Sequence, residues 1–427
     1  MQIAPMSVSS VRIQTPASRA VLVAALLAGC ALNYFFGKWG LANMASTHAD
    51  AVEVADLALS LAPGDPQTHY AAAVLYEKSF AKDDIDRSLR EYSIVAALSP
   101  NNYLFWLTLG NARSRNGDSH GAESALRVAI DLAPNYGSVR WALGNVLLRQ
   151  GRATESFVEI RKAADLDSNY ASPAADIAWQ YFDGDVKTVR ETIGESPDII
   201  AALITRMAAQ KRLDDALDLW NALPVEQKSG LLKANGKVLF TELVSAKRFR
   251  DAFRVKSDIA PGLPSSSIGK VENGDFEGDI RTNDTSVFEW AIGDGLQPQV
   301  VLTDGQKHGG SRSLLIVFGG DGKTFRSISQ TIAVDPGETY AFEAFCLSDI
   351  KTQSSIQWEV VDASDGKLLG TTDPVASSPD WITLTASFSV PSTSDGVIIR
   401  LARSGCVTQN CPVNGKAWFD DISLHKK

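Results

Sequence analysis

Asp420 stands in the stretch "AWFDDISL", where strict alternation puts Trp418, Asp420, Ile422 and Leu424 on one face of a strand. If that face is the core, Asp420 is a carboxylate among apolar neighbours. A buried charge must be paired, protonated or bound to a metal. Its neighbour Asp421 points to the opposite face. The two therefore cannot flank one bond as acid and nucleophile. The five histidines (His48, His69, His120, His308, His425) are scattered and make no HExxH pair. "VFGGDGKT" fails as a phosphate-binding loop because Val317 stands where the first glycine is required. "DASDGK" lacks the spacing of an EF-hand loop. The chain reads as non-catalytic, not an enzyme, with no catalytic cofactor.

The elements that would hold such a carboxylate come from the rest of the chain. It has 427 residues, 44% hydrophobic and 21% charged, enough for two or three folded domains. The net charge of -9 and the lack of a basic run argue against nucleic-acid binding. Four cysteines show no zinc-ligand spacing. Cys406 and Cys411 share a Gly/Asn/Pro-rich loop and are expected to form a local disulfide, which needs an oxidising compartment. Cys346 reads as a small core residue.

The N-terminus is consistent with such a compartment. Residues 1–19 carry Arg12 and Arg19 and no acidic side chain. Ala20–Gly37 follows, 18 residues without a charge, about the length that spans a bilayer. Acidic residues come after it, so the positive-inside rule puts the N-terminus in the cytoplasm and the bulk outside. Three readings share that outcome. One is an uncleaved inner-membrane anchor. The second is a lipoprotein anchored at Cys30 of "LAGC". The third is a cleaved signal. Apolar residues continuing past Cys30 to Phe36 favour the anchor.

Marks "LSPNN", "LAPNY" and "LDSNY" recur with a 34-residue period, and "LAPGDP" precedes them by 37. Between them Trp106, Leu109, Gly110, Ala122, Leu126, Ala129 and Pro134 stand in a pattern that resembles the tetratricopeptide repeat. Leu143, Gly144, Gly151, Ile160 and Ala163 repeat it. Weaker copies extend both ways, giving about six helical hairpins, and the apolar segment is expected to run straight into the first. The resemblance implies a solenoid with a concave groove for a protein partner. In its register Asn111 and Asn145 face the groove, and Trp141 is the candidate aromatic anchor. Packing within the array is the plainer role for all three.

After "IAPGLPSSSIGK" the period changes from 3.6 to 2. The run 326–348 reads as a hairpin around "DPGE", and some eight strands follow one another to the C-terminus. The series "NGDFE", "FEWAI", "HGGSRSLLI", "ISQTIAVDPGETYAFEAF", "WITLTASF" and "AWFDDISL" resembles a carbohydrate-binding-module jelly roll of the galactose-binding-like superfamily. That resemblance implies a structural calcium held by Glu277 and Asp420, with Asp275. The alternative is carboxylates bonded to backbone N–H groups. It also places Trp290 and Trp381 at positions that are usually core. For a glycan site, Trp358 lines a cleft or fills the core, and Arg400 and Arg403 offer charge to an anionic group.

The expected fold is multidomain α + β. It runs from a cytoplasmic N-terminus (1–19) through a transmembrane anchor or signal (20–37) to an α-solenoid of helical hairpins (38–261). A linker (262–270) then leads to an antiparallel β-sandwich, the jelly roll (271–427). The expected function is an envelope scaffold, with the main domains in the periplasm or outside the cell. Similar architectures suggest polysaccharide export or assembly. The alternative is a carbohydrate-binding protein whose repeats act as a spacer.

Overall fold

The computed structural model describes residues 15–48, 50–79, 82–261, 267–281, 285–320, 325–405 and 412–427. Cys406 and Cys411 lie outside these residues. The chain divides into two compact units, Met1–Ile199 and Ile200–Lys427.

The first unit is helical. Helix α1 (Pro16–Thr47) is continuous, about 48 Å long at the usual rise. Its most apolar 18-residue window has a mean hydropathy of 2.0 and none of it is buried. By length and composition it can cross a membrane. Its C-terminal end buries Ala42 and Ser46 against α2 (Val52–Leu61) and α3 (Pro66–Ser79). The apolar segment therefore becomes the first helix of the array without a break. Hairpins follow: α3 with α4 (Lys82–Leu98), α5 (Tyr103–Arg115) with α6 (Ser119–Leu132), and α7 (Gly137–Arg149) with α8 (Ala153–Leu166). The last two hairpins superpose in sequence at 34 residues, Tyr103 on Gly137 and Ser119 on Ala153. α9 (Ala171–Tyr181) has a shortened partner, α10 (Val186–Ile193).

Small residues set the helix spacing. A Cβ on Gly110 would lie 2.6 Å from Leu126 Cγ, and one on Gly144 2.7 Å from Ile160 Cγ1. The Ser156 hydroxyl donates to the Gly144 carbonyl at 2.7 Å across the same contact. Local caps start the helices: the side chains of Asn102 and Asp118 accept from the amides of Leu104 and Gly121.

The second unit joins helices to sheets. α11 (Pro197–Ala209) spans the division between the units. α12 (Leu213–Asn221), α13 (Val225–Ser229), α14 (Lys233–Ser245) and α15 (Phe249–Ile259) follow. Trp220 is fully buried, and its Nε1 donates to Asp258 at 2.9 Å. Two sheets enclose one core containing Phe276, Trp290, Phe342, Trp358 and Phe419. The strands are β1 (Ala291–Ile292), β2 (Gln299–Thr303), β3 (Ser313–Gly320), β4 (Ile328–Ala333), β5 (Thr339–Ser348), β6 (Lys351–Thr352), β7 (Ser355–Asp362), β8 (Leu368–Thr371), β9 (Ser378–Ser389), β10 (Gly396–Ser404) and β11 (Val413–Lys426). The five-stranded sheet runs β1-β4-β10-β7-β8. The other runs β2-β3-β11-β5-β9, with β6 paired to β11, and every pairing is antiparallel.

The 326–348 run is not a hairpin. β4 pairs with β1 and β10, whereas β5 pairs with β11 and β9. The "DPGE" turn carries the chain from one sheet to the other. α15, which precedes residues 262–270, is bonded to the sandwich. Asp395, in the turn before β10, accepts from the amides of Phe249 at 2.9 Å and Arg250 at 3.1 Å. It supplies the N-terminal cap that α15 lacks within its own segment.

Candidate functional site

The opening motif of the sandwich is fixed by its backbone. Asn273 and Phe276 both have left-handed φ, +53° each. The Asn273 side chain bridges Gly278, accepting from its N–H at 2.7 Å and donating to its carbonyl at 2.9 Å. Phe276 is fully buried, with its ring 5.5 Å from Trp290. The amide of Ile422 donates to Gly274 O at 2.8 Å, tying the motif to β11.

Two carboxylates then close on one loop. Glu277 accepts from the amides of Ser311 at 2.6 Å and Arg312 at 2.9 Å, and from the Ser311 hydroxyl. These hydrogen bonds, the hydroxyl first, hold its carboxyl down at about 2. Asp420 accepts from the amides of His308 at 2.8 Å, Gly309 at 3.0 Å and Asp421 at 2.8 Å. Burial pushes its carboxyl up, and the amides of Gly309 and His308 pull the other way. Gly310 has φ +49°, and a Cβ there would lie 2.3 Å from Glu277 Oε1. The pair of glycines lets the loop lie flat on both acids.

Asp420 does not share a face with Ile422 and Leu424. A bulge interrupts β11 between Asp420 and Ser423, with Asp421 at φ +46°. Ala417 and Phe419 point to the core before it, Ile422 and Leu424 after it. Trp418 and Asp420 thus belong to the outer face. Asp420 is completely buried there because the 308–309 loop covers it.

Asp275 is exposed, and its Oδ1 accepts from the Glu277 amide at 3.4 Å. Among the described residues no three Asp, Glu, His or Cys side chains gather as a metal cage. In this arrangement backbone N–H groups and the Ser311 hydroxyl satisfy both carboxylates.

Trp358 is not a glycan contact. It is fully buried, with rings of Trp290, Phe342 and Phe419 at 6.0, 5.9 and 5.4 Å. Arg400 lies on the outer face of the five-stranded sheet and pairs with Glu359 at 2.8 Å. Arg403, further along β10, donates to the Ser354 hydroxyl at 3.1 Å. Trp381 is not core either. It is half-buried on the outer face of the six-stranded sheet, beside His308. The resemblance put Trp381 in the core, whereas strand alternation puts Ile382, not Trp381, in phase with the buried Leu384 and Ala386.

In the helical unit, Asn145 donates its side-chain amide to the carbonyl of Trp141 at 2.8 Å, one turn back on α7. Trp141 stacks on Tyr170 at 5.1 Å, and Asn111 is half-buried on α5. Tyr103 and Tyr136 form a second such ring pair at 4.7 Å, which the repeat pattern did not single out. Cys30 is exposed at mid-helix in α1. Burial pushes the Cys346 thiol up to about 12, so it is inert as a nucleophile.

A family model described as a carbohydrate binding domain matches residues 269–404. No curated protein sequence matches the chain. Among solved structures, one titled "CBM4 structure and function" aligns with 37% of this chain and 99% of its own at 19% identity, with a TM-score of 0.28. "Crystal structure of MamA" aligns with 39% of this chain and 88% of its own at 16% identity and a TM-score of 0.30. "MamA 41-end from Desulfovibrio magneticus RS-1" aligns with 36% and 90% at 18% identity and 0.32. Scores this low leave the argument to this chain's own residues. A carbohydrate-binding module at the C-terminus and a helical N-terminal half are what the chain contains.

Proposed function

We propose that the chain is a non-catalytic, membrane-anchored binding protein whose sandwich holds carbohydrate and whose tetratricopeptide-type hairpins hold a protein partner. The observation that carries the reading is the carbohydrate-binding-domain match over residues 269–404. The scattered histidines and the absence of a nucleophile–base pair in the sequence support a non-catalytic role. Helix α1 serves as the anchor in this reading, and the charge asymmetry around it favours a location outside the cytoplasm for the chain that follows it. A role in envelope polysaccharide export or assembly belongs with this placement. Asn111, Trp141 and Asn145 are the proposed partner-facing residues.

Affinity electrophoresis of the detergent-solubilised chain against hydroxyethylcellulose, xylan, laminarin and an acidic polysaccharide tests the carbohydrate part. Retardation by at least one gel is expected. Uniform mobility in all four would overturn it. A structural calcium at Glu277, Asp420 and Asp275 is a separate proposal. It predicts a melting temperature that rises with calcium in the wild type and not in Glu277→Ala. An unchanged wild-type melt leaves the two acids as ligands of amides alone.

A further inference from the structure

The outer face of the six-stranded sheet carries an apolar row that nothing in the sandwich covers fully. Register places Val301, Leu315, Trp418 and Leu347 side by side across β2, β3, β11 and β5. Beyond Leu347, β9 bulges between the partners of Cys346 and Ser348 and brings Trp381 to the same face. Val301 is 47% exposed, and the other four are partly exposed. Four inter-strand gaps make the row roughly 19 Å long. Alongside Trp418 and Trp381, the His308 ring stacks on Phe345 at 3.7 Å and meets Trp381 edge-on at 5.7 Å.

Polar groups border the row on both sides. Gln299 and Lys416 flank it through Val317, and both are exposed. Thr303, Thr383 and the His308–Asp421 pair, 2.7 Å apart, flank the other side. Lys416 and exposed Asp349 stand together on one border and the His308–Asp421 pair on the other, so no basic patch edges the row. An apolar strip with aromatic rings, edged by hydrogen-bonding groups, matches a sugar ring's two surfaces. The C–H face stacks on the strip and the hydroxyls reach the borders. The outer face of the five-stranded sheet has no aromatic strip. Ser329, Arg400, Glu359 and Thr371 form a polar row beside Ile398, Val361 and Leu368, and none of the outward side chains among its described residues is aromatic.

We propose that the six-stranded face, through Trp418 and Trp381 with His308 and Phe345 beside them, is the surface that binds a neutral polysaccharide chain several rings long. This rests on the carbohydrate-binding reading above and moves the contact away from Arg400 and Arg403. The clamped 308–312 loop then has a second consequence. Glu277 and Asp420 hold His308 in place over Phe345, so the acids position the platform without touching sugar.

The test uses the solubilised full chain and whichever of hydroxyethylcellulose, xylan or laminarin retards the wild type most. Trp418→Ala and Trp381→Ala are each expected to weaken retardation about tenfold or more. Val301→Asp, at an exposed position that leaves the core intact, is expected to weaken it in the same direction. Arg400→Ala is expected to leave it unchanged. Loss in Arg400→Ala with wild-type retardation in Val301→Asp and both tryptophan variants would overturn this face and keep the carbohydrate reading. No retardation of the wild type by any of the three overturns both. A near-ultraviolet circular dichroism spectrum matching the wild type separates lost contact from lost fold, and Val301→Asp decides where a tryptophan variant fails to fold.

Discussion

A fragment starting at Ser267 should melt on the order of 10 °C below one starting at Pro197. The sandwich looks like a domain that ends where its strands end, yet it borrows several contacts from the last helices. Phe288 is only 2% exposed, and rings of Phe253 at 5.3 Å and Phe240 at 6.1 Å cover it. Removing the helices returns that ring to water at about 2 kcal/mol. Gly396 lies against Phe249, so the start of β10 is uncovered as well. The Lys256–Glu272 pair at 2.7 Å and the Arg250–Asp335 pair at 3.2 Å are lost too. Partly exposed pairs contribute well under about 1 kcal/mol each. Together the loss is roughly 4 kcal/mol. Asp395→Ala in the longer fragment should reproduce the helix-cap share alone, about 1–2 kcal/mol. Thermal unfolding followed by circular dichroism reads both. Equal melting of the two fragments would mean that the helices rest on the sandwich without stabilising it.

This coupling was invisible in the amino-acid order, and the reason is physical. The Pro/Gly/Ser punctuation near residue 262 reports a change of backbone period. It says nothing of contacts made by residues 146 positions apart, such as Phe249 and Asp395. What repeats locally was legible. The 34-residue spacing and the glycines at 110 and 144 are set by neighbouring helices, so the order of small and large residues carries them. Strand pairing was not. β5 alternates cleanly after a tight turn that follows β4, and alternation is the same whether two strands share a sheet or face each other across the core. The faces of β11 were misjudged for a similar reason. One left-handed residue, Asp421, shifts the phase, so Trp418 and Ile422 look equivalent in sequence and lie on opposite faces. That error hid the aromatic platform, because Trp418 was counted toward the core. Trp358 was ambiguous on the same grounds, and only three surrounding rings settled it.

Asp420→Ala should destabilise the sandwich by about 3 kcal/mol at pH 7, more than Glu277→Gln. Asp420 satisfies three amides at once, and its removal leaves those of His308, Gly309 and Asp421 without that acceptor. Each buried donor left without an acceptor costs about 1–3 kcal/mol, and partial rehydration of the loop reduces the sum. The two acids also differ in sign as pH falls. Glu277 has a folded value lowered to about 2. Its contribution is therefore complete above the unfolded carboxyl range near 4.5 and is lost as pH drops toward 2. Asp420 has a folded value raised by burial, so its share runs the other way, fullest below the unfolded value near 3.8. The sandwich should therefore lose stability between pH 4.5 and 2 through Glu277, with Asp420 opposing it in part. Glu277→Gln should flatten that acid arm, while Asp420→Ala should steepen it. Urea unfolding at pH 3 and pH 7 measures both slopes. An acid arm unchanged by Glu277→Gln would show that the Ser311 and Arg312 amides do not hold that carboxylate in solution. The loop would then lose one of the two acids that keep His308 over Phe345.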